Sequence, residues 1–461
     1  MQAIRLSVAL VVLAAAAVLL LNLNSCGGSS NSGPVNPPPS TTPVAPHVQH
    51  VVLIIQENRT PDNLFHGLPN ADIASAGLDS NGQTITLQPI RLANKYDLGH
   101  RHVDFVNMYD NGKMDGANKV RSCDPITNPG CPPNSQFQYV NPSEVAPYFQ
   151  LAEQYTFGDR MFQTNQGPSF PAHQFIISGT SAPTATSNLF ASENPYIDRG
   201  CTAIPGAWVW MIDPSGVESS KMYPCFEHQT LNDLLDKAGI SWKYYTPSAN
   251  SIWTGPNAIQ HMCGAVGTQC QAPGWAQHVI TQPAQVLKDI SSGQLAAVSW
   301  VIPTGQASDH PATNDGSGPS WVASIVNAIG NSSYWSNTVI IITWDDWGGW
   351  YDHVPPPKVV NDGTSWGSGY VYGFRVPLLV VSPYAKAGYV SQVTHDFGSI
   401  LHFIEGSFGL PSLGYADARA DDLSDCFDFT QSPIPFHAIK APLDAAHFLN
   451  DKSAPLDPDD E

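Results

Sequence analysis

Residues 338–357, TVIIITWDDWGGWYDHVPPP, constrain the fold of this chain more than any other segment. The β-branched run at residues 339–342 is typical of a central strand that is buried on both faces. Asp345 and Asp346 follow it directly, and ligands of open α/β sheets bind outside the carboxyl ends of the strands. Because adjacent carboxylates repel each other unless a cation neutralises them, the segment predicts a metal site at a strand end. The alternative is a polar turn after a core strand.

Further apolar runs predict other strands of the same sheet. They lie at residues 50–55, 240–245, 296–302 and 376–381. Helical patterns lie between them: Thr230 and Asp233 form a capping box before residues 231–238, and Gly239 ends that helix. Apolar spacing of 3.6 residues recurs at residues 321–329 and 397–404. Strands that alternate with helices predict an α/β fold with a mainly parallel central sheet.

The composition predicts one large, loop-rich domain, which we place at residues 47–450. The chain has 461 residues, of which 13% are charged, and 40 prolines and 37 glycines imply many loops. A formal net charge of −19 argues against nucleic acid as a partner, because phosphate backbones are bound by basic surfaces. The polar stretches at residues 107–145 and 183–222 predict insertions over the active edge of the sheet.

The two ends of the chain predict export and a tether. Residues 1–25 have the basic, then apolar, pattern of a lipoprotein signal peptide, and Cys26 follows a segment that resembles a lipobox. Residues 26–46 are typical of a flexible Gly/Ser/Pro tether, and residues 451–461 of a solvated acidic tail. We expect a cell-envelope lipoprotein held at the membrane by its N-terminal lipid anchor. A periplasmic or secreted protein, or an uncleaved anchor, is the alternative.

Seven cysteines follow Cys26, and their clustering predicts local disulfide bonds in an oxidising compartment. The predicted pairs are Cys123 with Cys131, Cys201 with Cys225, and Cys263 with Cys270. Cys426 is then left over. The spacings are not those of a structural zinc site, so these cysteines indicate the compartment and not the reaction.

Metal-type ligands follow three of the predicted strands. They are Glu57 and Asn58 after the first strand, Asp345 and Asp346 after a later one, and His310 after a third. Parallel strands bring such ends together, and hard oxygen ligands suit Ca²⁺, Mg²⁺ or Mn²⁺, whereas added histidines admit Zn²⁺ or Fe. We expect a divalent metal ion whose identity the sequence does not decide. Each residue also has a structural interpretation, as a turn or loop residue.

Ser169 is the candidate nucleophile. It lies in TNQGPSFPAHQFIISG, where a helix can begin and where Pro171 suits the first turn. Free amides at a helix start bind anions, so a hydroxyl held there beside a metal can attack phosphorus. The alternative is that Ser169 only caps the helix.

Three histidines are candidates for binding phosphate oxygens or for protonating a leaving group. They are His100, His102 and His353, and His100 ranks above His102. The alternation of His100 and His102 places both on one face of an extended segment. The alternative for such loop histidines is that they are solvated.

Several of these segments, in order, resemble the bacterial phosphoesterase family of phospholipases C and acid phosphatases, within the alkaline-phosphatase-like superfamily. The segments are IIQENRTPDNLFHG, DLGHRHVDFVNMYDNGKMDG, TNQGPSFPAHQFIISG, SDHPA, TWDDWGGWYDHVPPP, FRVPLLVVSPYAKAGYV and HDFGSILHFIE. The resemblance implies a three-layer α/β/α sandwich. It also implies that Glu57, Asn58, Ser169, Asp345 and Asp346 bind the metal, and that His100, His310 and His353 surround the phosphate.

Departures from the phospholipase C branch favour the acid phosphatase branch. The phospholipase C branch usually has Thr-His where this chain has Ser169-Phe170, and Asp-Glu where this chain has Asp345-Asp346. Phe397 and Gly398 stand where phospholipases often carry His and Thr. We expect an acid phosphatase that cleaves small phosphomonoesters through a phosphoserine. The first alternative is a phospholipase C that binds a phospholipid headgroup, and the second is a non-enzymatic surface binding module.

Overall fold

An eight-stranded sheet forms the centre of the protein and joins segments from most of the chain. The computed structural model describes residues 45, 47–123, 131–197, 199–358 and 372–453. The strands, numbered along the chain, are β1 (His50–Gln56), β2 (Thr156–Gly158), β3 (Trp242–Tyr245), β4 (Val279–Ile280), β5 (Val298–Val301), β6 (Thr338–Trp344), β7 (Leu378–Val381) and β8 (Tyr389–Ser391). Their order across the sheet is β4-β3-β5-β1-β6-β7-β2-β8.

The sheet is mainly parallel, as the sequence predicts. Strand β1 pairs in parallel with both β5 and β6, whereas β7 runs antiparallel to its two neighbours, β6 and β2. All seven residues of β6 are buried, as are six of the seven in β1. Strands that are covered on both faces have continuous apolar sequences, so they are easily predicted from the sequence.

Helices cover the two faces of the sheet and complete three layers. The Ser169–Ser178 helix packs against the helices Leu231–Ala238 and Phe397–Phe408. A separate group forms around Gly318–Gly330, which contacts the helices Ala146–Gln154, Gln285–Ser291 and Ala445–Asn450. The capping box is confirmed, because the Thr230 side chain accepts from the Asp233 amide, and Gly239 ends the helix at φ 69°. The predicted α/β/α sandwich is therefore confirmed.

Smaller elements occupy the loops between the main strands. Their short strands are Ala76–Leu78, Thr84–Thr86, Gln88–Ile90, Gln138–Val140, Phe190–Ala191, Val209–Ile212, Glu218–Met222, Ala265–Val266 and Gln269–Cys270. The remaining α-helices of the described residues are Pro61–Leu64, His102–Tyr109, Gln260–Cys263 and Trp275–His278. The insertion at residues 183–222 folds into a three-stranded antiparallel sheet, which lies after the Ser169–Ser178 helix in the chain.

The three predicted disulfide bonds are present, and Cys426 is a buried free thiol. The predicted signal peptide, Cys26 and most of the tether and of the acidic tail lie outside the described residues. No helix of the described residues has the length and apolarity needed to cross a membrane.

Candidate active site

The ends of β1 and β6 bring the predicted oxygen ligands together. Gln56 and Trp344, the last residues of these strands, stand opposite each other, so Glu57 and Asn58 follow beside Asp345 and Asp346. The backbone amide of Asn58 donates to Asp345 Oδ1 at 3.2 Å. All four side chains have no solvent exposure. The pairing of neighbouring parallel strands therefore forms the core of the site, as the sequence predicts.

The turns after these strands have unusual backbone geometry. Asn58 has φ +58°, a conformation that Asn tolerates better than most residues. Gly348 has φ +62°, and a Cβ atom there would lie 2.4 Å from the Asn58 carbonyl oxygen. Its amide donates to Asp346 Oδ1 at 2.8 Å. Only glycine allows the backbone at position 348 to lie this close to the Asn58 carbonyl. The hydrogen bond from the Gly348 amide fixes Oδ1 of Asp346 and leaves Oδ2 for the site.

Ser169 reaches the same cluster from the start of the Ser169–Ser178 helix. Its hydroxyl donates to Asp346 Oδ2 at 3.1 Å and makes no capping bond. Pro168 is the N-cap residue, and the Phe170 amide instead donates to the Asn194 side chain at 2.9 Å. The interpretation of Ser169 as a helix cap is therefore wrong, because a residue of the 183–222 insertion caps the helix.

His173 belongs to the cluster, and the sequence analysis missed it. It lies one turn after Ser169, and its Nε2 is 3.4 Å from Glu57 Oε1 and 3.8 Å from Asp345 Oδ2. Nδ1 lies 3.3 Å from the Tyr244 hydroxyl, which donates its own proton to the Trp253 carbonyl. In the neutral ring Nδ1 then donates, and Nε2 turns a lone pair toward the carboxylates. The i, i+4 spacing from Ser169 was the available signal.

His100 and His310 face the site from the other side. Nδ1 of His100 donates to the Leu98 carbonyl at 2.9 Å, and Nδ1 of His310 to the Pro311 carbonyl at 2.7 Å. Their Nε2 atoms both face the side-chain amide of Asn58, at 3.3 Å for His100 and 3.2 Å for His310. The amide orientation that satisfies both ends donates to Asp345 Oδ1 at 3.0 Å and to Glu57 Oε2 at 3.3 Å. Backbone carbonyls thus orient both rings toward the Asn58 side chain.

The donor set fits a divalent cation. Glu57, Asp345 and His173 offer ligand atoms within 4.8 Å of one another, and all three are buried. Asp345 Oδ2 accepts no hydrogen bond within the described part of the chain, although it is fully buried. Burial of several carboxylates is costly unless a cation compensates them. Carboxylate and amide oxygens with an imidazole suit the ions that the sequence analysis considers.

The structure does not bring His353 into this cluster. Its Nδ1 contacts Asp62 Oδ2 at 2.8 Å, and its Nε2 contacts Asp72 Oδ1 at 3.0 Å. Burial lowers the pKa of His353, but the hydrogen bond to Asp62 and the charges of Asp62 and Asp352 outweigh it and raise the pKa to about 9. Arg375, fully buried, binds Asp352 beside it. Both ring nitrogens therefore serve an ionic network that connects loops, so the expected position against the phosphate is not observed.

A cavity of ≈ 280 Å³ begins beside Ser169, at Pro168. The 183–222 insertion supplies most of its walls, including Glu193, Tyr196, Trp208, Trp210 and Glu218. Nζ of Lys221 lies 3.2 Å from the Trp208 ring centre and 4.4 Å from that of Trp210. Burial and the charge of Glu218 raise the pKa of Glu193 well above its usual range. The backbone amide of His102 donates to Glu193 Oε1 at 3.0 Å and so helps to fix this wall residue.

Comparison with known proteins identifies the family. The model of the Phosphoesterase family matches residues 48–411. A non-hemolytic phospholipase C of Burkholderia pseudomallei is 25% identical over 83% of this chain and 59% of its own length. Phospholipase C B of Mycobacterium tuberculosis is 25% identical over 84% of this chain and 79% of its own length. The chain therefore spans about three-fifths of the length of the Burkholderia relative.

Solved structures that are similar to this chain share little sequence with it. A protein in the alkaline phosphatase superfamily from Vibrio parahaemolyticus is 12% identical, with a TM-score of 0.36 over 83% of this chain and 72% of its own. The family match covers most of the chain and all the site residues named above. The chain belongs to the Phosphoesterase family.

Proposed function

We propose that this protein is a metal-dependent phosphoester hydrolase that uses Ser169 as its nucleophile. The observation that carries the proposal is the hydrogen bond of 3.1 Å from the Ser169 hydroxyl to Asp346 Oδ2, at a helix start and beside three further buried ligand residues. Family membership supports the same chemistry. The non-enzymatic alternative loses support, because a binding module has no need to hold a serine hydroxyl against this acidic cluster.

Glu57, Asn58, Asp345 and Asp346 are the residues that would hold the divalent ion, together with Ser169 and with His173 at the edge of the set. The bound ion supplies positive charge, which lowers the pKa of the serine hydroxyl and offsets the charge of the phosphate. This assignment adds His173 to the five predicted ligands, on the strength of its short distance to Glu57.

The remaining steps can be assigned to side chains of this chain. Ser169 Oγ attacks phosphorus and forms a phosphoserine, while Asp346 Oδ2 accepts the hydroxyl proton. In its cationic form, His100 or His310 keeps the Nδ1 bond to its backbone carbonyl and carries a second proton on Nε2, which binds a phosphate oxygen or passes to the departing alcohol. Water then attacks the phosphoserine and frees Ser169. Donors that are already aimed at the position of the developing charge supply most of the acceleration.

For the substrate, a phosphodiester of the phospholipase C type has the stronger support. Both relatives described above are named phospholipases C. The cavity that begins at Pro168 offers the faces of Trp208 and Trp210 and the carboxylate of Glu218, and Lys221 already places an ammonium group over those rings. Aromatic faces with nearby carboxylates bind organic cations. A cationic alcohol on the far side of the phosphate would therefore fit this cavity.

An acid phosphatase that acts on monoesters remains the second candidate. It rests on Ser169-Phe170 and Asp345-Asp346, which differ from the residues usual in the phospholipase C branch. The complete burial of Ser169 is compatible with a small substrate. A monoester would leave the cavity that begins at Pro168 without a role in binding. The effect of a substitution at Trp208 therefore distinguishes the two candidate activities.

The test compares initial rates of the metal-replete protein on p-nitrophenyl phosphate and on p-nitrophenylphosphorylcholine. Ser169→Ala should abolish both activities, and full turnover in that variant would refute the proposal. Trp208→Ala should raise KM for the choline ester alone, whereas Trp275→Ala, in a helix outside the cavity, should change neither activity. Faster cleavage of the monoester, with no effect of Trp208→Ala, would favour the acid phosphatase. No turnover that depends on Ser169 would favour the binding module.

A further inference from the structure

A second group of metal-type side chains lies at the β8 edge of the sheet and shares no residue with the Ser169 site. His395 follows β8, and Asp425 and Cys426 lie in the 3-10 helix Ser424–Cys426. His395 and Cys426 have no solvent exposure, whereas the Asp425 side chain is 21% exposed. The group is thus nearly enclosed by protein and open to solvent on the side of Asp425.

The spacing of the three ligand atoms fits a tetrahedral metal. Asp425 Oδ1 lies 3.5 Å from Nε2 of His395 and 3.6 Å from Sγ of Cys426. Ligand bonds of about 2.0 to 2.3 Å around tetrahedral zinc place neighbouring ligand atoms about 3.3 to 3.7 Å apart. All three atoms lie within 4.8 Å of one another, so the group is already close to this spacing.

The histidine is oriented as metal-binding histidines usually are. Nδ1 of His395 lies 2.8 Å from Asp421 Oδ1, and the Leu423 amide donates to the other oxygen of Asp421 at 2.9 Å. A carboxylate on one ring nitrogen fixes the tautomer and leaves the other nitrogen as an electron-pair donor. That nitrogen, Nε2, faces Asp425, and the Ser391 hydroxyl lies 2.9 Å from it. The hydroxyl or a water can take the fourth position.

Cys426 supplies the ligand that distinguishes this group from the Ser169 site. The other six cysteines of the described residues form disulfide bonds, and Cys426 keeps its thiol. The Ser169 site offers only oxygen and nitrogen atoms. A set of nitrogen, oxygen and sulfur donors selects a borderline-soft cation such as zinc over calcium or magnesium.

We propose that His395, Asp425 and Cys426 bind a structural zinc ion. Binding releases the Cys426 thiol proton to solvent, and the cysteine coordinates as thiolate. The ion would hold residues 421–427 against the sheet edge. It would also hold the chain before the nucleophile, because His395 exchanges backbone hydrogen bonds with Arg160 and Phe162. The proposal is independent of the catalytic function of Ser169.

The competing explanation is a complete network of hydrogen bonds without metal. Ser391 donates to Asp425 Oδ2 at 2.5 Å and lies within hydrogen-bond distance of His395, so the polar groups already have protein partners. In that network the Cys426 thiol donates to Asp425 Oδ1 at 3.6 Å, a bond that a serine hydroxyl can replace. Replacement of sulfur by oxygen therefore separates the two explanations.

The experiment adds Co²⁺ to the full chain and records its ultraviolet–visible spectrum. Cys26→Ser and Asp345→Asn are present in every sample, so that Cys426 is the remaining thiol and the Ser169 site is weakened. We expect a thiolate-to-cobalt charge-transfer band that saturates at one equivalent and disappears when Zn²⁺ displaces the cobalt. Cys426→Ser should abolish the band, and Asp421→Asn should weaken Co²⁺ binding about 10- to 100-fold.

A matched control separates the coordinating carboxylate from general surface charge. Asp425→Asn should weaken Co²⁺ binding at least about 10-fold, whereas Asp428→Asn, which removes a partly exposed carboxylate that accepts from Thr430, should not change it. Zn²⁺ should raise the unfolding temperature of the parent protein and not that of Cys426→Ser. A normally folded parent protein with no charge-transfer band would overturn the proposal, and so would a band that survives Cys426→Ser.

Discussion

Arg59 donates two hydrogen bonds to the backbone carbonyl of Asp309, from Nε at 2.9 Å and from Nη2 at 2.7 Å. Arg59 follows Asn58, and Asp309 precedes His310, so this fork joins the two loops that meet at the Asn58 amide. The guanidinium also donates to the Leu92 carbonyl and lies 5.0 Å from the Trp350 ring centre. One buried cation therefore connects the loops that follow β1, β5 and β6.

Arg59→Lys should reduce kcat and stability together. Lysine cannot reproduce the planar fork, so the loop of His310 would lose its fixed distance to Asn58. We expect a loss of about 2 to 5 kcal/mol in unfolding free energy, as for other disrupted buried charges, and a lower kcat with little change in KM. Urea unfolding and steady-state kinetics measure both. Arg91→Lys, at a side chain that is 79% exposed, is the control and should behave as the parent.

Removal of the catalytic metal should lower stability as well as activity. The buried carboxylates of Glu57, Asp345 and Asp346 would then repel one another without compensation. We expect chelation to lower Tm by several degrees in Ser169→Ala as well, since the effect is electrostatic and does not need turnover. The Cys426→Ser background removes any contribution from the proposed zinc ion. An unchanged Tm on chelation would contradict the proposed metal site.

His173→Gln should weaken metal binding. Its Nε2 lies 3.4 Å from Glu57 Oε1, within the proposed ligand set. Loss of a ligand or of its close neighbour typically weakens metal affinity by about 10- to 100-fold. Activity titrated against metal concentration should therefore shift to higher concentrations and recover at saturation. A permanent loss of kcat at saturating metal would instead indicate that His173 acts on the substrate.

His310→Gln should lower kcat more than it changes stability. Its Nε2 faces the Asn58 amide, where the proposed phosphate oxygens would lie. Loss of a general acid or of a phosphate ligand typically costs about 10²- to 10⁴-fold in rate. His402→Gln is a matched control, because His402 also bonds a backbone carbonyl, that of Ala420, and lies outside the site. Equal activity of the two variants would exclude a catalytic role for His310.

The contribution of His353 to stability should depend on pH. Its pKa is raised from 6.5 to about 9 in the folded protein, so its ionic bonds stabilise the fold fully below pH 6.5 and are lost as pH rises through 9. The side chain is 26% exposed, and we expect about 1 to 3 kcal/mol. His353→Gln should therefore be destabilised in urea near neutral pH and should match the parent at strongly alkaline pH. A difference in unfolding free energy between His353→Gln and the parent that stays constant across this pH range would show that the charge of His353 is not involved.

The sequence alone determined the features that depend on short-range chemistry. Apolar runs identified the buried strands, the capping box of Thr230 and Asp233 identified a helix start, and local spacing identified the three disulfide bonds. The proximity of the proposed oxygen ligands after β1 and β6 was also predictable, because neighbouring parallel strands end at the same edge. In each case the determining partners are close in sequence or are related by a simple rule of topology.

The tertiary structure decided which distant groups meet. His173 could be placed near the metal ligands only after the Ser169–Ser178 helix had been positioned against β1 and β6. His353 follows the acidic turn directly, but its ring nitrogens contact Asp62 and Asp72, nearly 300 residues away along the chain. Asn194 capped the nucleophile helix in place of Ser169. Charge pairing and capping depend on separations of a few ångströms, and the chain sets these only when its core is packed.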